Sequence, residues 1–381
     1  MTQKLSLLIV FFLTAPLLFA QKNLPLIKAT SVSVDIKDGN VFTKNAWTIT
    51  PDAKPDVYTT AYSKGAKKIT FYTDKDSISF NVKPNSYFLF NILLNNKDTA
   101  LTGILSYDTL GTLKKAAKYN VAEKRELPKF TYQPADNPNL VALRKAFNLD
   151  SVSGQGNEVS KILNLLHWIH NLVPHDGNHS NPVVMNAMNM IAVCKKENRG
   201  LNCRGLATVL NECYLSMGIK SRFVTCLPKD SLGIDNDCHV INMVYSTQLK
   251  KWIWIDPTFD AYIMNEKGEL LGMEEVRERI ISNKPLLLNP EANWNHKVSE
   301  TKEYYLFSYM AKNLYLLECP ISSEYDTETR QVGKSIRYMQ LVPLDYFKKS
   351  LEMSSSTNNQ SQTTFVKYRT NNPNVFWQVP Q

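Results

Sequence analysis

Beyond Ala20 the sequence has no long apolar run. It also has no stretch dense in lysine and arginine, no internal repeat and only six cysteines. Each shortage excludes something. Without a second apolar run of bilayer length there is no stop-transfer segment, so no stable membrane insertion is expected. Basic residues number 44 against 35 acidic ones, a formal charge of +9, but the excess is spread along the chain. A nucleic-acid footprint needs that charge gathered in one place, so no nucleic-acid partner is expected. The cysteines stand at 194, 203, 213, 226, 238 and 319. An even set allows disulfides in an oxidising compartment, but if one is a reactive thiol, at least one of the other five is unpaired. None closely follows the N-terminal apolar run, which argues against a lipid anchor.

Metal-binding sets are incomplete too. His167, His170, His175 and His179 fall within a short span, yet Asp176 is the only acid near them and no cysteine completes the set. Some of these histidines are expected to line a cleft, the others to be surface or capping residues. Asp230, Asp235 and Asp237 lack the glycine and closing glutamate of an EF-hand and read as a solvated loop. No metal and no cofactor are expected.

What is present begins with MTQKLSLLIVFFLTAPLLFAQK. Lys4, a short apolar run and a small residue at Ala20 predict a signal peptide over residues 1–20 and a secreted or periplasmic mature protein. The hydrophobic (43%) and charged (21%) fractions are those of a globular chain, and the length suits two domains. Residues 69–73, 77–83, 87–94 and 99–105 are rich in β-branched and aromatic residues. Ile78, Phe80 and Val82 alternate with polar neighbours, and Asn95-Asn96-Lys97-Asp98 is a turn. An antiparallel β domain over residues 21–135 follows. The proline-rich LPKFTYQPADNPNL then crosses into a second domain, 136–381. There, NEVSKILNLLHWIHNLV has helical spacing and stops at Pro174, and residues 304–319 read as a further helix. Strands follow at 335–344 and 364–369.

The chemistry centres on GLNCRGLATVLNECYLSMGIK. Leu206, Leu210, Cys213, Tyr214 and Met217 share a helical face, Gly218 ends the helix and Asn202 is a favoured N-cap. Cys203 then sits in the first turn, where the helix dipole and the charge of Arg204 favour its thiolate, and where free N–H groups suit an oxyanion. Alone, such a cysteine reads as a small core residue sooner than as a nucleophile. Its partners decide. HVINMVYS and KWIWIDP are strand patterns joined by a short turn. A two-residue turn at Thr247-Gln248 places His239 directly opposite Asp256, within reach of a hydrogen bond. Trp252 and Trp254 lie on the Asp256 face and are expected to keep water from the pair. Cys203, His239 and Asp256 then form a nucleophile, a base and the group that orients it.

These three segments resemble the core of the transglutaminase-like superfamily, over about residues 155–265. Ala207, Gly218-Ile219 and Arg222 fit the same pattern. The resemblance implies an α+β, papain-like fold with a catalytic triad carried onto Cys203, His239 and Asp256. It also implies that a tryptophan upstream of the cysteine serves as second oxyanion donor in some members. Trp168 is the candidate here, with a core aromatic as its other reading. The family contains crosslinkers, peptidases, amidases and inactive members. The expectation is an exported cysteine hydrolase or acyltransferase acting on a protein or peptide substrate through a thioester on Cys203. A protein-crosslinking enzyme and a non-catalytic binding or scaffold module are the alternatives. Cys226 and Cys238 flank the aspartate loop, either as a disulfide or as two thiols.

Overall fold

The computed structural model describes residues 24–39, 41–51, 55–62, 67–229, 238–346 and 351–381. The expected signal peptide and the aspartates at 230, 235 and 237 lie outside the described residues. The chain divides into two compact units, Met1–Asp108 and Thr109–Gln381.

In the first unit β-branched and aromatic residues build two four-stranded sheets. One is antiparallel throughout: Val41–Thr48, Ser33–Asp38, Lys67–Tyr72 and Ser77–Val82. The other has an antiparallel central hairpin, Tyr87–Leu94 with Asp98–Asp108, flanked by Leu26–Ala29 and Asp56–Tyr62 running parallel to their neighbours. The hairpin turns where expected, with Asn95 and Asn96 both at positive φ, a conformation asparagine tolerates. Val34, Ile36, Ile69, Phe71, Phe90, Ile92 and Ile104 fill the space between the sheets.

The second unit is built on a nine-stranded sheet. Its centre runs Ala261–Met264, Lys251–Asp256, His239–Ser246, Ser221–Leu227, Leu316–Pro320 and Ser335–Leu341, all antiparallel. Only Thr364–Thr370 runs parallel to its neighbour. Alternation along the strands separates two cores. Val244, Ile253 and Ile255 face the helices Glu158–Leu172, Ala187–Glu197 and Cys203–Ser216. Ile241, Met243, Trp252 and Trp254 face the other way, toward the helix Met273–Ile281 and toward Tyr305, Leu306 and Met310.

Two local readings differ from the sequence expectation. The proline-rich stretch is docked, not a crossing: Thr131–Tyr132 pairs in parallel with Ser322–Ser323, and Phe130 lies 4.0 Å from the Arg222 guanidinium. The break between units falls earlier, at Asp108. The second difference is in 304–319. Residues Glu303–Met310 form a π-helix, but Leu316–Pro320 is a strand, because its apolar residues are needed beside Ser221–Leu227 in the sheet. Tertiary pairing overrides helical spacing there.

Candidate active site

Asn202 caps the cysteine helix as its residue type predicts. Its Oδ1 accepts from the N–H groups of Arg204 (3.1 Å) and Gly205 (3.2 Å). Those two N–H groups are therefore taken, and the cap leaves out the N–H of Cys203 itself. Ala207 is fully buried, and its carbonyl accepts from Asn242 Nδ2 on the His239 strand at 2.8 Å. A small residue is needed at that contact for the helix to lie against the strand.

The hairpin carrying His239 and Asp256 is shifted by two residues from the expected register. Ser246 pairs with Lys251 and Asn242 with Ile255, across a four-residue loop. Glu158 is the cause. Its carboxylate accepts from Ser246 Oγ (2.6 Å), Thr247 Oγ1 (2.7 Å) and the Gln248 N–H (2.9 Å), and the loop wraps around it. A two-residue slip keeps every side chain on its face. His239 and Asp256 thus meet on a diagonal, His239 Nε2 to Asp256 Oδ2 at 2.7 Å, with both side chains buried.

Further groups complete the surroundings. Asp256 Oδ1 accepts from the Thr258 N–H at 2.9 Å, and Oδ2 also accepts from the Tyr305 hydroxyl at 2.6 Å. Tyr305 in turn accepts from Trp254 Nε1 at 3.0 Å. Tyr309 lies one turn on in the same π-helix, its hydroxyl 3.2 Å from His239 Nδ1. The rings of Tyr309 and Phe259 lie 5.1 and 5.5 Å from the imidazole. Of the two tryptophans expected to shield the pair, only Trp254 reaches it, through Tyr305. Trp252 instead covers Arg222, at 4.4 Å. Tyr305 and Tyr309 carried no signal in the sequence, since YYLFSYM reads as an ordinary apolar helix.

His175 and His239 are the groups that act on the Cys203 thiol. Burial alone would push its thiol up. The bonds from His175 and then His239, with the His239 charge, outweigh that and bring the thiol down to about 6. Burial also penalises the imidazolium of His239, but the Asp256 charge and hydrogen bond, with the Cys203 contact, raise it to about 10. Between those values the favoured state is a thiolate beside an imidazolium. Arg204 contributes less than its position suggested, because its guanidinium is bound to Glu328 (3.0 Å) and Thr225 Oγ1 (2.9 Å).

The four clustered histidines separate into different jobs. His167 Nδ1 meets Asp260 at 2.6 Å, and His179 Nδ1 meets Asp176 at 2.6 Å. Buried His170 lies between the Pro257 carbonyl (3.1 Å) and Asn293 Oδ1 (3.0 Å). Only His175 bridges to the start of the cysteine helix, at Leu201, and it also lines a cavity of about 510 Å³ together with Pro174, Asp176, Arg199 and Lys297. Among the described residues, no three His, Cys, Asp or Glu side chains gather as a metal site would require. Trp168 packs against Phe147, with ring centroids 5.7 Å apart, in the helix-side core. Cys226 is a buried thiol whose Sγ donates to the Val224 carbonyl at 3.8 Å.

Three solved structures are similar to parts of this chain. A candidate cysteine protease from Cytophaga hutchinsonii aligns at 14% identity and a TM-score of 0.24, over 60% of this chain and 73% of that one. A candidate protease from Parabacteroides distasonis aligns at 13% identity and a TM-score of 0.23, over 59% of this chain and 38% of that one. Red sea bream transglutaminase aligns at 10% identity and a TM-score of 0.22, over 62% of this chain and 49% of that one. No curated protein matches the sequence. Residues 145–257, which contain Cys203, His239 and Asp256, match the family model of the transglutaminase-like superfamily.

Proposed function

We propose that this protein is an exported cysteine enzyme that cleaves peptide-type amide bonds, with Cys203, His239 and Asp256 as its catalytic residues. One observation carries the reading: a fully buried His239–Asp256 pair bonded at 2.7 Å, in surroundings that lower the Cys203 thiol and raise the imidazole. In this reading the Cys203 thiolate adds to the amide carbonyl carbon, and the carbonyl oxygen becomes an oxyanion. His239 gives its proton to the leaving nitrogen as the C–N bond breaks, and a thioester remains. Water then adds to the thioester while His239 takes its proton, and collapse releases the acid and restores the thiolate. Asp256 holds Nε2 of the imidazole, so that Nδ1 serves the sulfur. A primary amine in place of water would give transamidation. Hydrolysis is favoured because water is always present in an exported setting.

The test is the pH dependence of iodoacetamide alkylation at Cys203, followed by peptide mass mapping, in wild type and His239→Ala. The reading requires a reactive plateau that begins near pH 6 and is lost in the variant. An ordinary thiol profile, with its midpoint near 8.5, would leave a binding module on a borrowed fold. Incorporation of a labelled primary amine into a glutamine-containing protein distinguishes transfer from hydrolysis. Export is tested by cell fractionation and by the N-terminus of the mature chain.

A further inference from the structure

An amide carbonyl attacked by Cys203 needs two donors for its oxyanion, and the helix end supplies few. Asn202 already occupies the N–H groups of Arg204 and Gly205. The Cys203 N–H is one donor that the cap leaves out. A second has to come from outside the helix. His175 is the group in place, since its backbone bridges to Leu201, two residues before Cys203.

Three separate contacts fix His175. Asn295 grips its backbone on both sides: Oδ1 accepts the His175 N–H at 2.7 Å, and Nδ2 donates to the His175 carbonyl at 2.8 Å. The segment also bridges to the residues just before the cysteine helix. The Asp176 N–H donates to the Leu201 carbonyl at 2.7 Å, and the Leu201 N–H donates to the Pro174 carbonyl at 3.1 Å. That bridge is why residue 200 is glycine: a Cβ there would lie 2.1 Å from the Pro174 carbonyl oxygen. Finally, Trp294 Nε1 donates to His175 Nδ1 at 3.3 Å.

The last contact determines where the ring proton sits. An indole N–H can only donate, so His175 Nδ1 must accept. In the neutral ring the proton then resides on Nε2. A fixed donor next to the nucleophile, held before any substrate arrives, is what stabilisation of a developing oxyanion requires.

We propose that His175, held by Trp294 as its Nε2–H tautomer, is the second oxyanion donor of the Cys203 site, in the place that sequence reasoning offered to Trp168. His175 is the catalytic residue, and Trp294 and Asn295 are positioning residues. The inference rests on the acyl-transfer reading above.

Two reagents separate this role from an effect on thiol ionisation. Iodoacetamide reacts with the Cys203 thiolate by displacement at carbon, with no oxyanion. p-Nitrophenyl acetate reacts through a tetrahedral oxyanion: the thiolate adds, p-nitrophenolate leaves, and an acetyl thioester forms. Both rates depend on the same thiolate fraction, so their ratio at one pH cancels any pKa change. Each is measured at Cys203 by mass mapping in wild type, His175→Ala, His175→Gln and Trp294→Phe.

His175→Ala is expected to lower the acylation-to-alkylation ratio on the order of 10²-fold, the usual cost of one oxyanion donor. His175→Gln, which keeps an N–H donor, recovers part of it. Trp294→Phe lowers the ratio although His175 is intact, because the tautomer is released. If both rates fall together in His175→Ala and Trp294→Phe, the ratio stays constant and His175 acts only on thiol ionisation, which overturns the proposal. If wild-type Cys203 alkylates like an ordinary thiol, the acyl-transfer reading itself has failed and the donor role falls with it. A wild-type plateau with an unchanged ratio overturns the donor role alone.

Discussion

The molecule contains two histidine–aspartate pairs of nearly equal length, four residues apart at their acids. His239 meets Asp256 at 2.7 Å, and His167 meets Asp260 at 2.6 Å. In both, the carboxylate raises the imidazole. They differ in surroundings. The His239 side chain is 1% exposed and Asp256 is fully buried, whereas the His167 side chain is 37% exposed. His239 also acts on the Cys203 thiol, lowering it, and Asp256 takes two further donors, Thr258 N–H and Tyr305 hydroxyl. Two hydrogen-bonded His–Asp pairs of nearly equal length can therefore stand in very different electrostatic surroundings. Burial leaves the charges of the first pair unscreened, whereas solvent screens the second.

The contrast can be broken most sharply at the acids. Asp256→Asn should cut acyl transfer on the order of 10⁴-fold, because the amide favours the wrong tautomer of His239. Asp260→Asn should leave turnover unchanged, and NMR titration should show His167 returning toward about 6.5. Comparable losses in the two variants would erase the distinction. Next in size is the base. His239→Ala should lower Cys203 alkylation at pH 7 by at most roughly 30-fold, the change in thiolate fraction for a full return from about 6 to the free value of about 8.5, with His175 retaining part of the depression. His167→Ala should not move it.

The wild-type profile sharpens the comparison further. Alkylation should rise through about pH 6 and stay flat until His239 loses its proton near pH 10. Tyr305→Phe removes one donor from a buried carboxylate and leaves the Trp254 N–H without its acceptor. A loss of about 1.5–3 kcal/mol in denaturant unfolding is expected, with a partial loss of rate. The smallest effect belongs to the exposed pair. His167→Ala should cost under about 1 kcal/mol. Because folding raises the His167 pKa, that contribution is full below the unfolded value of about 6.5 and disappears as pH rises through the folded one. Unfolding measured across pH 5 to 9 checks the sign.

Much of this site was legible in advance. Asn202 and Gly218 announced the ends of the cysteine helix through cap chemistry, which acts over a few residues. The strand patterns around His239 and Asp256 placed both residues on one face. Parity survives a two-residue register change, so the pairing stood although the turn was read as too short. The loop could not be sized from STQLK, because Glu158, far away in sequence, dictates it. His175 was visible only as one of four histidines after a helix, with nothing local to separate it from its neighbours.

The sequence by itself determined the elements, the face each side chain takes and the three residue types that attract attention at 203, 239 and 256. These depend on periodicity and caps, which are local. Only the tertiary structure decided which groups surround them. Tyr305 and Tyr309 arrive on a wide helical turn, Trp294 sets a tautomer, and Arg204 is drawn away from the thiol by Glu328. Those contacts join residues tens to more than a hundred positions apart. Their energies come from burial and low dielectric, quantities that no short stretch of sequence carries.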